Sequence, residues 1–371
     1  MKKNSKHFIT FLFLIVSFYS LAQSSEQFGV SIVKYGAKPA KNWQTAIDNS
    51  SAIQKAIDEN PGRLIFIPSG IYLLGKEIKI THDVRLVGES KYSTILQPIN
   101  NDGIYVNAGG VFLENFFIYG RGKTGITINN VRNTTITNVL LQNVQYGIKL
   151  VNAWNTKISN LDIDINNNQN PKVLKGIILS GQSVNNYITN SQISAVDVGI
   201  EIQKSDKKSE GLIISNVGIF SAKKGINNEG ILSLHINNSI IDLCEEYALD
   251  IKNTAGLLVS NSWLNSTGSN NTQTIRLFST WDSHFSTNNI KNGKGTSVIL
   301  LEDYSNNNIF TNNTIEFVDS NKESVVLGKT TGRNLIKNNN FKSSSNKNLK
   351  INNLGGSSNK IIDNINIDLN D

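Results

Sequence analysis

The stretch GLLVSNSWLNS, from Gly256 to Ser266, is one copy of a phrase that the chain writes many times. Upstream stand LHINNSIIDL, LIISNVGIFS, YITNSQIS, KISNLDIDI and TITNVLLQN, and downstream come HFSTNNIKN, IFTNNTIEF, LIKNNNFKS and KIIDNINID. Each carries an apolar residue, Asn two positions later, then another apolar residue. The Asn falls at Asn115, Asn138, Asn160, Asn190, Asn216, Asn238, Asn261, Asn312, Asn338 and Asn364, with Thr287 in the remaining copy. A second phrase alternates with the first: GIYV at Gly103, GITI at Gly125, GIKL at Gly147, GIIL at Gly176, GIEI at Gly199 and GINN at Gly225. It continues as ALDI at Ala248, TIRL at Thr274, SVIL at Ser297, SVVL at Ser324 and NLKI at Asn348.

Successive copies start 22 to 29 residues apart. That length holds two or three short strands with Gly- or Asn-rich bends and has no room for a helix. Such a unit cannot bury its inner face alone and must stack on the next copy. The pattern predicts an all-β, right-handed parallel β-helix of about eleven or more coils. Rungs stacked at about 4.8 Å let the Asn amides bond along the axis as a buried ladder, and Asn tolerates the left-handed backbone of a tight bend. The Asn residues therefore read as scaffold.

The beginning of the chain differs. Lys2, Lys3 and Lys6 precede the apolar run Phe8 to Val16, and Ser20-Leu21-Ala22 has the small residues of a cleavage site. Residues 1–22 read as a secretory leader, which predicts export to a periplasm or the medium. Residues 23–371 read as one domain, with 28–100 as N-terminal cap and first coils and 103–371 as regular coils. DNSSAIQKAIDENPG reads as a short capping helix, with Asn49 or Ser50 as N-cap, Ile53, Ala56 and Ile57 on one face, and Pro61-Gly62 ending it. Such a helix would cover the otherwise open end of the solenoid.

The run VSIVKYGAK, DNSSAIQKAIDE, GRLIFIPSGIYLL and VRLVGES, within residues 28 to about 100, resembles the opening of the pectate-lyase-like superfamily, in its rhamnogalacturonase/epimerase-like group. The resemblance implies a right-handed parallel β-helix that cuts or grips carbohydrate. The short Asp-containing, GHG and RIK signatures of the polygalacturonase branch are absent, so no catalytic residue is carried over from it. GKTGITI and GLLVSNSWL also resemble coils of the inulin fructotransferases.

The chain carries 36 Lys+Arg against 29 Asp+Glu, a net +7, of which the leader lysines supply three. The rest is spread over a long molecule, unlike the clustered charge of a nucleic-acid binder, and is compatible with an anionic polysaccharide. Cys244, the single cysteine, forms no internal disulfide and reads as a buried, inert thiol. His7, His82, His235 and His284 are too scattered for an ordinary zinc site, and His235 reads as a surface or ladder residue.

In the second phrase the third residue should face outward. This column reads Tyr105, Thr127, Lys149, Ile178, Glu201, Asn227, Asp250, Arg276, Ile299, Val326 and Lys350, with Glu229, Lys252 and Phe278 beside it. Its charged members concentrate between Lys149 and Arg276. Glu201, Asp250 and Arg276 are the candidate catalytic residues; Lys149, Asn227, Glu229, Lys252, Trp281 and His284 are the candidate substrate contacts. Glu201 and Asp250, two rungs and roughly 9.6 Å apart at the backbone, suit the carboxyl pair of an inverting glycosidase, whose separation is about 6.5–9.5 Å. A lyase would instead use a base, a cation such as Lys149, Lys252 or Arg276, and Ca²⁺ held by Glu201 and Asp250. No resident metal is required otherwise. Trp281 or Trp154 would stack on a sugar ring. Asp162 with Asp164, and Asp242 with Glu245 and Glu246, are the reserve acids, and the same column also reads as an ordinary solvated sheet face.

The expectation is therefore an exported glycosidase or polysaccharide lyase, working as a monomer or a homotrimer on a polysaccharide. Its rivals are a non-catalytic, tailspike-like adhesin, a fructotransferase-like enzyme, and a solenoid assisting copper-site maturation. One Met and four His argue against copper handling.

Overall fold

The computed structural model describes residues 29–120, 123–164, 174–268, 272–319, 322–344 and 347–370. The leader assigned to residues 1–22 and most of the insertion after Asp164 lie outside them. The chain winds into a right-handed parallel β-helix of about eleven turns. Each regular turn gives one strand to a sheet of 13 strands, here the second sheet, and one or two to a sheet of 22 strands, the first sheet.

One turn shows the local logic. Lys157–Ser159 and Asp162–Asp164 lie in the first sheet, bent apart at Asn160, and Lys175–Ser180 lies in the second. Asn160 has φ 52°, and Asn115, Asn138, Asn190, Asn216, Asn238, Asn261, Thr287, Asn312 and Asn338 repeat that left-handed bend. Bending there lets Ile158 and Ile163 on the two strands both point inward. Inward residues then stack rung on rung. Ile136, Ile158, Ile188, Ile214, Ile236, Val259, Phe285, Phe310 and Ile336 are successive register partners, and none exceeds 1 % exposure. Burial of each such side chain stabilises by about 1.5–3 kcal/mol. The Phe285 and Phe310 rings stack with centroids 4.4 Å apart.

The Asn ladder needs correction. The bend residues are not a buried stack: Asn216 is exposed, and its amide donates to Asn190 Oδ1 at 2.7 Å along the surface. A buried ladder is formed by the residue after the bend, Asn288, Asn313 and Asn339, and continues to the half-buried Asn364. The Oδ1 atoms of Asn313, Asn339 and Asn364 each accept the backbone N–H of the preceding rung's ladder residue at 2.9 Å, and Asn288 Oδ1 accepts from Ser262 N at 3.0 Å. Ser239 and Ser262 fill the same slot in earlier turns. Asn364 thus belongs to this inner ladder, and the bend in its turn is Asp363, at φ 53°.

Helix α1, Ser50–Asp58, covers the N-terminal end. Ile53, Ala56 and Ile57 are fully buried. Asn49 makes no side-chain cap; its Oδ1 accepts from Lys38 N at 2.7 Å. Asp48 does the capping work instead, its Oδ1 accepting from Ser50 N at 2.9 Å and from Gly75 N at 3.0 Å. That carboxylate joins the helix start to the first full coil.

Candidate functional site

The second sheet presents the outward column. Register runs Tyr105, Thr127, Lys149, Ile178, Glu201, Asn227, Asp250 and Arg276. The next members are Leu300, Val326 and Asn352. Ile299 points into the core at 1 % exposure, and Lys350 pairs with Glu323 across a register shift. Both positions therefore differ from the sequence reading, because those turns place the phrase one or two residues further along. Glu229, Lys252 and Phe278 form the adjacent column, followed by Glu302.

Charges on these rungs tie together. Lys175 Nζ lies 2.5 Å from Glu201 Oε2, which also accepts from Gln203 Nε2 at 3.1 Å. Lys224 Nζ lies 2.8 Å from Asp250 Oδ2, Lys252 Nζ 4.0 Å from the same oxygen, and Arg276 Nη1 3.9 Å from Asp250 Oδ1. Lys252 also meets Glu229 Oε1 at 3.1 Å, and Arg276 Nε meets Glu302 Oε2 at 3.0 Å. Asp250 occupies an outward rung, yet its side chain keeps 1 % of its surface. The long side chains of its three cationic neighbours account for this. Asp250 and Glu201 stand two rungs apart with Asn227 between them, but they do not face solvent as a pair.

Lys175, Lys224 and Tyr247 were not legible as site residues. In Lys224-Gly225-Ile226-Asn227 the two middle residues are both buried, so strict alternation fails by one and returns Lys224 to the outer face. Glycine permits this close approach: a Cβ on Gly176 would stand 2.5 Å from the Gly199 carbonyl oxygen. The recurring Lys or Tyr immediately before the phrase was the available signal. Burial pushes the Tyr247 phenol above its ordinary pKa; the charge of Arg276 and its hydrogen bond pull the other way without reversing the shift.

The remaining candidates separate. Lys149 packs over the Tyr146 ring, 4.1 Å from its centroid, and Ile178 stands between it and Glu201. Trp281 ends the strand Gln273–Trp281 at the edge of the second sheet, with Lys208 Nζ 5.6 Å from its ring centroid. His284 does not join this face. It opens the strand His284–Ser286 of the first sheet, in register with Leu258 and Ile309, because the chain has turned the corner by then. His235 shares that outer column with Leu258. Trp154 lies under Arg132, 5.2 Å from guanidinium to ring centroid. Asp162 is paired with Lys91 at 2.6 Å, and Asp242 accepts from Asn265 at 2.6 Å. Glu245 and Glu246 form the turn leading to Tyr247. Cys244 is buried, and burial raises its thiol to about 12.

Calcium does not fit Glu201 and Asp250, whose oxygens already meet Lys175, Lys224, Lys252 and Arg276. A divalent cation among four like charges would be repelled. Among the described residues, no cluster of three or more His, Cys, Asp or Glu could hold a metal ion.

Three known proteins share parts of this chain or its shape. A cell surface glycoprotein of Methanothermus fervidus is 32 % identical over 124 residues, 32 % of this chain. The chain spans only 19 % of that relative's length. The structure of tailspike protein 3 of bacteriophage CBA120 superposes with a TM-score of 0.72 at 12 % identity, over 93 % of this chain and 63 % of that one. The catalytic unit of an α-1,3-glucanase from Streptomyces thermodiastaticus gives 0.66 at 13 % identity, over 92 % and 69 %. At these identities the two structures share the fold. The model of the family described as rhamnogalacturonase A/epimerase, pectate lyase-like, matches residues 29–250, and the chain belongs to that family.

Proposed function

We propose that this chain is an exported protein that binds an anionic polysaccharide along the outer face of the second sheet and cleaves it by elimination. One observation carries the choice of chemistry. Asp250 is sealed beneath Lys224, Lys252 and Arg276, so Glu201 and Asp250 cannot serve as the accessible carboxyl pair of a hydrolase, and cations stand in their place.

Elimination from a uronate needs a positive group at the sugar carboxylate, a base for the adjacent C–H proton, and a proton for the leaving oxygen. Arg276 and Lys252 are placed for the first role. Glu229, beside Lys252 and 39 % exposed at its side chain, is placed for the second. Tyr247, whose phenol is hydrogen-bonded by Arg276 on the same face, supplies the third. The base takes the proton, its electron pair becomes a C=C bond, and the C–O bond to the leaving sugar breaks. Glu201 holds Lys175 in place at the edge of the face.

A panel of polygalacturonate, alginate and a neutral glucan tests the reading by ultraviolet absorbance of unsaturated products and by reducing ends. Growth of both on an acidic polymer supports it. Reducing ends alone would mean hydrolysis. Binding without either product would favour an adhesin, a reading supported by the ion pairing of Glu201, Glu229, Asp250 and Glu302.

A further inference from the structure

Away from the second sheet, two N-terminal segments reach onto the outer face of the first. Trp43, 43 % exposed, comes from the segment between Ala40 and Asp48, which bridge to Ile71 and Leu73. Its ring stands 5.3 Å from that of Tyr119, two rungs further along, and Tyr119 meets Phe117 edge-on at 5.6 Å. Lys91 comes from the loop before Thr94–Pro98. Its ammonium reaches Asp162 Oδ2 at 2.6 Å and the Asn160 carbonyl at 3.2 Å. Phe117 and Asp162 belong to one outward column, with Leu140 between them, and Tyr119 is in register with Gln142.

We infer that Trp43, Tyr119 and Phe117, with Gln142, form a second saccharide platform that takes uncharged pyranose units. The exposed Trp43 ring and the half-buried Tyr119 and Phe117 rings offer apolar surface to the C–H face of a sugar, and the half-buried Gln142 amide offers both a donor and acceptor for its hydroxyls. Among the described charged side chains on these rungs, Lys91 is 8 % exposed and bonded to Asp162, and Asp164, in register with Gln142, is itself acidic, so these rungs favour an uncharged sugar over an acidic one. Rungs spaced about 4.8 Å apart step at close to the length of one sugar unit. The platform rests on the polysaccharide reading above but is separate from the face proposed to do chemistry, and would hold the polymer during turnover.

The test is affinity electrophoresis and calorimetry of the full chain with dextran, galactomannan, xyloglucan and polygalacturonate, alongside Trp43→Ala and Tyr119→Leu. Trp43 sits on an exposed segment, so its variant should keep the wild-type melting temperature. The expected result is binding of a neutral polymer that weakens at least tenfold in Trp43→Ala, while turnover of short soluble substrates is unchanged. Wild-type binding that Trp43→Ala and Tyr119→Leu leave intact overturns the platform alone. Failure of the wild type to bind any of the four polymers overturns both readings. Sedimentation showing a dimer lost in Trp43→Ala would assign the patch to a second copy and also overturn the platform.

Discussion

Lys224 Nζ lies 2.8 Å from Asp250 Oδ2, on a carboxylate whose side chain is 1 % exposed. The two belong to adjacent rungs of the second sheet, and the lysine reaches diagonally, since Asn227 rather than Lys224 is the register partner of Asp250. Lys252 and Arg276 close over the same carboxylate. Asp250 therefore holds three cations in fixed positions, which gives its loss a structural consequence as well as a functional one.

Asp250→Asn should lower the melting temperature. Removing one partner of a buried ion pair destabilises by about 3–5 kcal/mol, and here the three cations keep 26–28 % of their side-chain surface. Solvent screening of those heads brings the expected loss to about 2 kcal/mol. Urea denaturation checks it, and unchanged stability would mean the cations relax into solvent.

Arg276→Ala should reduce elimination from an acidic polysaccharide at least about a hundredfold, the usual effect of removing a group that stabilises developing charge. Initial rates at saturating substrate, with melting curves beside them, make the comparison. A variant that folds and turns over normally moves the chemistry off this face.

The two kinds of ladder should respond differently to substitution. Asn339 donates to the Phe310 carbonyl at 2.9 Å and to Asn364 Oδ1 at 3.0 Å, while its own Oδ1 accepts from Asn313 N at 2.9 Å. Asn339→Ala leaves several buried groups unpaired, at about 1–3 kcal/mol each. Asn216, exposed and at φ 55°, should show a smaller loss with Ala, of about 1–2 kcal/mol from the left-handed backbone, and little with Gly. Chemical denaturation of the three variants should rank them in that order.

Asp48 predicts an acid-sensitive cap. Burial raises its carboxyl, but the bonds from Ser50 and Gly75 and the charge of Lys76 together outweigh burial and hold the pKa below the ordinary value. A depressed folded pKa stabilises above the unfolded pKa, and the contribution is lost as pH falls through the folded one. Hydrogen exchange across α1 should accelerate below about pH 4 in the wild type, whereas Asp48→Asn should show a weaker dependence over the same range.

Much of the molecule was legible because the instructions are local. The Asn and Thr bends from Asn115 to Asn338, the inward aliphatic positions and the capping face of Ile53, Ala56 and Ile57 each follow from spacing within a few residues, whereas the last bend lies at Asp363 and not at Asn364. The outward column could be traced correctly from Tyr105 to Arg276. It was lost at Ile299 and Lys350, where Val298 and a register shift displace the phrase. His284 was misplaced for a different reason: nearness in sequence to Trp281 does not survive the corner between sheets.

The sequence by itself determined the coil, its repeat and the inward stacks, since every rung of 22 to 29 residues carries its own strands and bends and can bury its inner face only on another rung. Tertiary structure decided which outward residues meet solvent. Asp250 and Glu201 read alike in sequence, yet Asp250 is sealed while Glu201 keeps 13 % of its side-chain surface. The difference comes from the side chains on neighbouring rungs, a full turn away along the chain, whose reach and pairing appear only once the turns are stacked.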